Sequence, residues 1–112
     1  MMEKETVIDS IAEGNYQSST HPEINRAEIN LTQLQRNVEI IRGKLKAGTR
    51  FMAVVKGDAY GHGLVPIAQE LERCRCDYIG VVRLTEALNL RRAGIKIPVM
   101  MLAAFIPEQI DW

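Results

Sequence analysis

Phe51-Met52-Ala53-Val54-Val55-Lys56-Gly57-Asp58-Ala59-Tyr60-Gly61-His62-Gly63 is the stretch whose reading decides the fold. An apolar run ends abruptly in a lysine, a glycine-punctuated loop follows, and an amphipathic segment begins at Leu64. That order predicts a buried strand, a loop and a helix. Lys56 then stands at the C-terminal end of a buried strand, the face that carries chemistry in parallel α/β folds. Desolvation among apolar walls turns such an amine into a nucleophile able to form a Schiff base. The competing reading is a lysine that ends a strand and snorkels to water.

Working outward, the pattern repeats. Leu64 to Cys74 predicts a helix with Pro66 in its first turn, where a missing N–H costs least, and with Leu64, Ile67, Ala68, Leu71 and Cys74 on its buried face. Tyr78 to Val82 predicts a second strand. Thr85 is the expected cap of the next helix, and Gly94 its end. Ile97 to Ala103 reads as a third strand suited to burial on both faces, and Pro107 opens a further helix. Upstream, Glu23 to Ile29 reads as a short strand. Asn30, with Gln33 at the capping-box position, then starts a helix. Leu31, Leu34, Val38, Ile41 and Leu45 form its apolar stripe, and Gly48 is the expected C-cap. Strands alternating with helices make the class α/β.

Composition narrows the function. The chain has 112 residues, zero formal net charge and 46% hydrophobic residues, with no acidic or basic excess to suggest nucleic acid or an anionic membrane as partner. No apolar run approaches a membrane span, and no signal-peptide core is visible at the start. Cys74 and Cys76 lack a second ligand pair at a metal-binding spacing, and His21 and His62 do not complete one. The expectation is reduced thiols in a cytoplasmic protein, with no metal. Residues 1–25 are polar and broken by Gly14-Asn15 and Ser18-Ser19-Thr20-His21-Pro22, and are read as a flexible arm.

The run Ala53 to Gly63 closely resembles the pyridoxal 5'-phosphate lysine motif of bacterial alanine racemases, with Gly57 where the family usually has alanine. Arg26-Ala27-Glu28-Ile29-Asn30-Leu31, with Leu34 and Asn37, resembles the family's opening segment. Glu86-Ala87-Leu88, Leu90-Arg91 and Ala93-Gly94-Ile95 resemble its second helix and the turn beyond. The resemblance implies a fold type III enzyme whose (β/α)8 TIM-like barrel is followed by a β domain. A barrel needs about 250 residues, so residues 26–112 are expected to form a partial barrel of about three β/α units. Unpaired sheet edges would leave the free chain marginally stable or self-associating.

By the same resemblance Lys56 holds the cofactor covalently and moves the substrate α-proton on one face. Tyr60 reaches the cofactor phosphate, and Val54 and Leu102 touch the cofactor. Packing alone also accounts for Val54 and Leu102, and an aromatic seated under the loop for Tyr60. Asp58 is either a tuner of the lysine or a turn former. His62 donates to a carboxylate or caps the next helix, and Arg83 meets an anion or is simply solvated. The second acid/base, a tyrosine contributed across a homodimer, has no counterpart here. The isolated chain is therefore expected not to racemise alanine. The implied function is supply of D-alanine for peptidoglycan. The alternatives are a serine, lysine or broad-specificity racemase, a non-catalytic pyridoxal-phosphate protein, or an interaction remnant that folds with a complementary fragment.

Overall fold

A computed structural model gives the fold and describes residues 27–111. The arm expected over residues 1–25 lies outside them. Most of the strand expected over residues 23–29 does too, and residues 27–30 are irregular rather than extended into a strand.

Helix α1, Leu31–Lys44, starts as its sequence predicts: the Asn30 side-chain oxygen accepts the Gln33 backbone N–H at 2.8 Å. Gln33 does not reciprocate but donates to Asn37 at 2.9 Å, so only half of the capping box forms. The helix stops at Lys44, short of Gly48. Gly48, at φ 83°, instead serves the turn in which the Thr49 N–H donates to the Lys46 carbonyl. Along the apolar stripe Val38 is buried, whereas Ile41 and Leu45 remain exposed.

Three parallel strands follow in the order β1-β2-β3: β1 Met52–Val54, β2 Tyr78–Val81 and β3 Val99–Met101. Between β1 and β2 lie a single turn, α2 (Lys56–Tyr60), and helix α3 (Leu64–Arg73). Between β2 and β3 lies α4 (Leu84–Arg92), and a 3-10 turn at Pro107–Gln109 comes last. Both outer strands are shorter than their apolar runs, Phe51 to Val55 and Ile97 to Ala103. Each pairs only with β2, four residues long, and the ladder ends with its partner. Thr85 sits inside α4 rather than capping it. Gly94 ends that helix as predicted, at φ 85°, with its N–H on the Arg91 carbonyl at 3.0 Å.

Alternation along the strands divides the sheet into two unlike faces. Ile79 and Val81 join Val55, Ala68, Leu71 and Leu90 in a core closed by the helices. Burying one such aliphatic side chain contributes about 1.5–3 kcal/mol. On the other face the register sets Val54, Gly80 and Met100 side by side. A Cβ built on Gly80 would lie 3.0 Å from Leu102 Cδ1 and 3.3 Å from both Met52 Sδ and Val54 Cγ2, so these side chains share that face. Here Val54, Met100 and Leu102 are 39%, 46% and 42% exposed. A parallel sheet normally has both faces covered. Among the described residues this one is covered on one, as befits three β/α units of an incomplete barrel.

Candidate functional site

At Val55 the backbone leaves extended geometry (φ −120°, ψ 20°), so alternation stops being a guide to side-chain direction just before Lys56. The turn that follows is left-handed: Gly57, Asp58 and Ala59 have φ,ψ of 62°,44°, 57°,42° and 53°,44°, and Tyr60 has φ 55°. Glycine adopts this region freely, but each of the three other residues does so at about 1–2 kcal/mol. Such strain persists only where the surroundings impose it.

Those surroundings are specific. The Ala59 N–H donates to the Val55 carbonyl at 2.8 Å, and the Ala59 side chain is buried. The Gly63 N–H donates to the Asp58 carbonyl at 3.0 Å. Asp58 Oδ1 accepts the Leu64 N–H at 2.7 Å, capping the start of α3. This bond is the turn-forming role read for Asp58 from sequence. His62 Nδ1 lies 2.8 Å from the Ala59 carbonyl oxygen and donates to it, so this partner is neither a carboxylate nor the start of α3.

The turn presents Lys56 and Tyr60, both exposed, to one cleft of about 550 Å³ whose lining also includes Asp58, Val82, Arg83 and Glu86. Arg83, left open between anion contact and plain solvation, thus shares the cleft of the candidate lysine. Val54 and Leu102 do not line it; they meet over Gly80 on the bare sheet face, near the C-terminal ends of β1 and β3. Cys74 caps α3 and Cys76 is buried beyond it, so the pair is not within one helix. Both are free thiols pushed up from the ordinary thiol range chiefly by burial.

One residue of the site carries no role in the sequence reading. Glu86 is the buried charged residue among those described. Its Oε1 accepts the Gly57 N–H at 2.7 Å, and its Oε2 accepts the N–H groups of Arg83 at 3.0 Å and Val82 at 3.2 Å. Burial pushes its carboxyl up, but the backbone donors outweigh burial and hold it below the usual glutamate range. Its position, three residues after Arg83 at the head of a helix, is the sequence signal for a carboxylate that reaches back to the helix start. Nothing in the sequence signals the bond to Gly57, which spans 29 residues.

The donor set suits pyridoxal 5'-phosphate in kind. A primary amine matches its aldehyde, and a phenol and a guanidinium on the same cleft match its phosphate. The cleft also falls in the size range of small-molecule sites, about 300–1,000 Å³.

Comparison with known proteins points the same way. Residues 29–112 match the family model for the alanine racemase N-terminal domain. Alanine racemase 2 of Clostridium acetobutylicum is 55% identical over 116 residues, an alignment covering 99% of this chain and 29% of that protein. Alanine racemase of Nostoc sp. is 44% identical over 85 residues, covering 75% of this chain and 22% of that protein. Among solved structures, alanine racemase from Bacillus anthracis with bound L-Ala-P superposes with a TM-score of 0.69 at 38% identity, over 72% of this chain and 21% of that one. An alanine racemase of Clostridium difficile gives a TM-score of 0.62 at 37% identity, over 70% and 20%. The chain thus spans less than a third of the length of each of these relatives.

Proposed function

This chain belongs to the alanine racemase family through its N-terminal domain, and from that premise we propose that it is the cofactor-lysine portion of a pyridoxal-phosphate-dependent racemase interconverting L- and D-alanine. The observation that carries the reading is the left-handed turn that brings Lys56 and Tyr60 to one cleft at the C-terminal end of β1. In this reading residues 26–112 are the barrel portion and residues 1–25 an arm.

Pyridoxal phosphate, when bound, supplies the electron sink that makes the α-proton of an amino acid removable. Lys56 is the residue that would hold it covalently, and its Nζ would take and return the α-proton on one face of the substrate. The Tyr60 hydroxyl would donate to its phosphate, and Arg83 would add charge at the same cleft. Val54 and Leu102 would offer apolar surface to the ring from the sheet face. The turn keeps the amine placed while it exchanges protons, because its backbone hydrogen bonds and the buried Ala59 leave it little freedom.

Inverting a stereocentre needs a second acid/base on the opposite face, and no residue described here is assigned to it. The chain alone therefore holds half of the machinery. The whole enzyme is proposed to be a cytoplasmic homodimer that takes alanine as substrate and supplies D-alanine for peptidoglycan. Among the described residues no helix is long and apolar enough to cross a membrane.

The test is a chimera in which this chain replaces the corresponding segment of the 55%-identical relative. Chiral chromatography should show alanine racemised faster than serine or lysine, with Lys56→Ala lowering turnover by at least about 10³-fold. Preference for serine or lysine would replace the substrate assignment. Turnover that survives Lys56→Ala would remove the lysine from the mechanism.

A further inference from the structure

We propose that Glu86 is the positioning residue of the Lys56 turn, a carboxylate on α4 that fixes the loop after β1 to the loop after β2 through backbone N–H groups. This rests on the reading of Lys56 as the cofactor lysine, and it adds a residue that chemistry at Lys56 does not itself require.

The geometry argues for it in three steps. Glu86 projects from the first turn of α4, so its place is set by a helix already packed on the core through Leu90, which is fully buried. Oε2 ties that helix to the β2 end through Val82 and Arg83, which is ordinary helix-start capping. Oε1 has a different object: the Gly57 N–H at 2.7 Å, one residue past Lys56 and at the first left-handed position of the turn. A carboxylate that only capped α4 would have no need of that bond. Asp58 holds the far end of the turn by its bond to Leu64. The strained segment is thus anchored at both ends by carboxylates accepting backbone N–H groups, and one of those anchors comes from the next β/α unit.

Chemistry dictates what a substitution does. A carboxylate offers acceptors on both sides; a glutamine amide offers one oxygen and an NH2 group. In Glu86→Gln the NH2 must face either the Gly57 N–H or the Val82 and Arg83 N–H groups, donor against donor, so one of the two loops is released. Glu86→Ala releases both.

Amide hydrogen exchange on the chain tests this without any cofactor. In Glu86→Ala, with α4 retained by circular dichroism, the Ala59, Gly61 and Gly63 amides should exchange at least about tenfold faster, although none of them bonds to Glu86. Acceleration confined to Val82, Arg83 and the first turn of α4 would reduce Glu86 to a helix cap and overturn the proposal. The unmodified chain gives a second measurement: in mild denaturant Gly57, Ala59, Val82 and Arg83 should open as one unit with a common slope. Independent opening of the two loops would overturn the proposal even if the variants did not fold. Reaction of Lys56 with pyridoxal phosphate, trapped by borohydride, should be about tenfold slower in Glu86→Ala than in the unmodified chain. An equal rate would count against positioning. If Lys56 in the unmodified chain takes no label, the cofactor reading fails, whereas the exchange results still decide the role of Glu86.

Discussion

The two faces of the sheet are made from neighbouring residues and end in opposite states. Val55 is 2% exposed and Val54 39%; Ile79 and Val81 are fully buried, while Met100, paired with the glycine between them, is 46% exposed. Both faces are apolar, so hydrophobicity alone does not separate them. What separates them is local sequence. The helix-facing side is closed by α3 and α4, which the chain supplies within a few residues of each strand, whereas the other side has no cover among the described residues. The Lys56 turn belongs to the finished half. It is held by Asp58, Ala59 and Glu86, all within the described residues.

The largest test of that contrast is mutational. Ile79→Ala should cost about 2–5 kcal/mol, enough to leave a marginal chain largely unfolded, while Met100→Ala on the bare face should cost less than about 1 kcal/mol. Urea titration followed by circular dichroism measures both, and equal losses would mean that the bare face is covered in solution.

Next in size is a pH effect confined to the finished half. Glu86 is pushed up by burial but held lower overall by its backbone donors, and Glu72 is lowered by the backbone N–H groups of Lys96 and Ile97 at 2.7 and 3.0 Å. A carboxyl with a depressed folded pKa binds protons more readily in the unfolded chain. Its contribution is therefore present above the unfolded value, about 4.3, and is lost as pH falls through the lower folded one. Urea midpoints should fall over that acid range, and less steeply in Glu86→Gln.

Two glycine substitutions sharpen the comparison further. Gly80→Ala places a methyl group 3.0 Å from Leu102 Cδ1, but that contact is the end of a side chain on the open face and can move aside. A cost of about 1 kcal/mol is expected, mostly removed by adding Leu102→Ala, as a double-mutant cycle would show. Gly57→Ala meets nothing within 4 Å, so only conformation counts. The left-handed cost of about 1–2 kcal/mol, less about 0.4–1 kcal/mol from the stiffer unfolded chain, leaves a net loss of at most about 1.6 kcal/mol. A clearly larger loss would mean that glycine at this position, where the family usually has alanine, serves more than the backbone.

Much of this was legible in the sequence because it is local. The Asn30 cap, the span of α3, the glycine end of α4 and the order of the strands each follow from spacing within one element. The failures are non-local. Strand ends are set by the partner, so the runs at Phe51 and Ile97 overstate β1 and β3. Thr85 has the chemistry of a cap, but Glu86 reaches the helix start first. Glycines announced positive φ, yet Asp58, Ala59 and Tyr60 share it under constraint from the surrounding fold rather than from their own preference. Lys56 and Tyr60 were recognisable as a pair from their motif, and the cleft that joins them to Arg83 from folding alone.

The most direct test of the account is the selectivity of cofactor attachment. Pyridoxal phosphate is added to the chain, reduced with borohydride, and the labelled peptide mapped by mass. The account predicts label concentrated on Lys56 over Lys4, Lys44, Lys46 and Lys96, and lost in Lys56→Ala. Label spread evenly over the lysines would contradict it, and Lys56 would then be an amine no more reactive than the others.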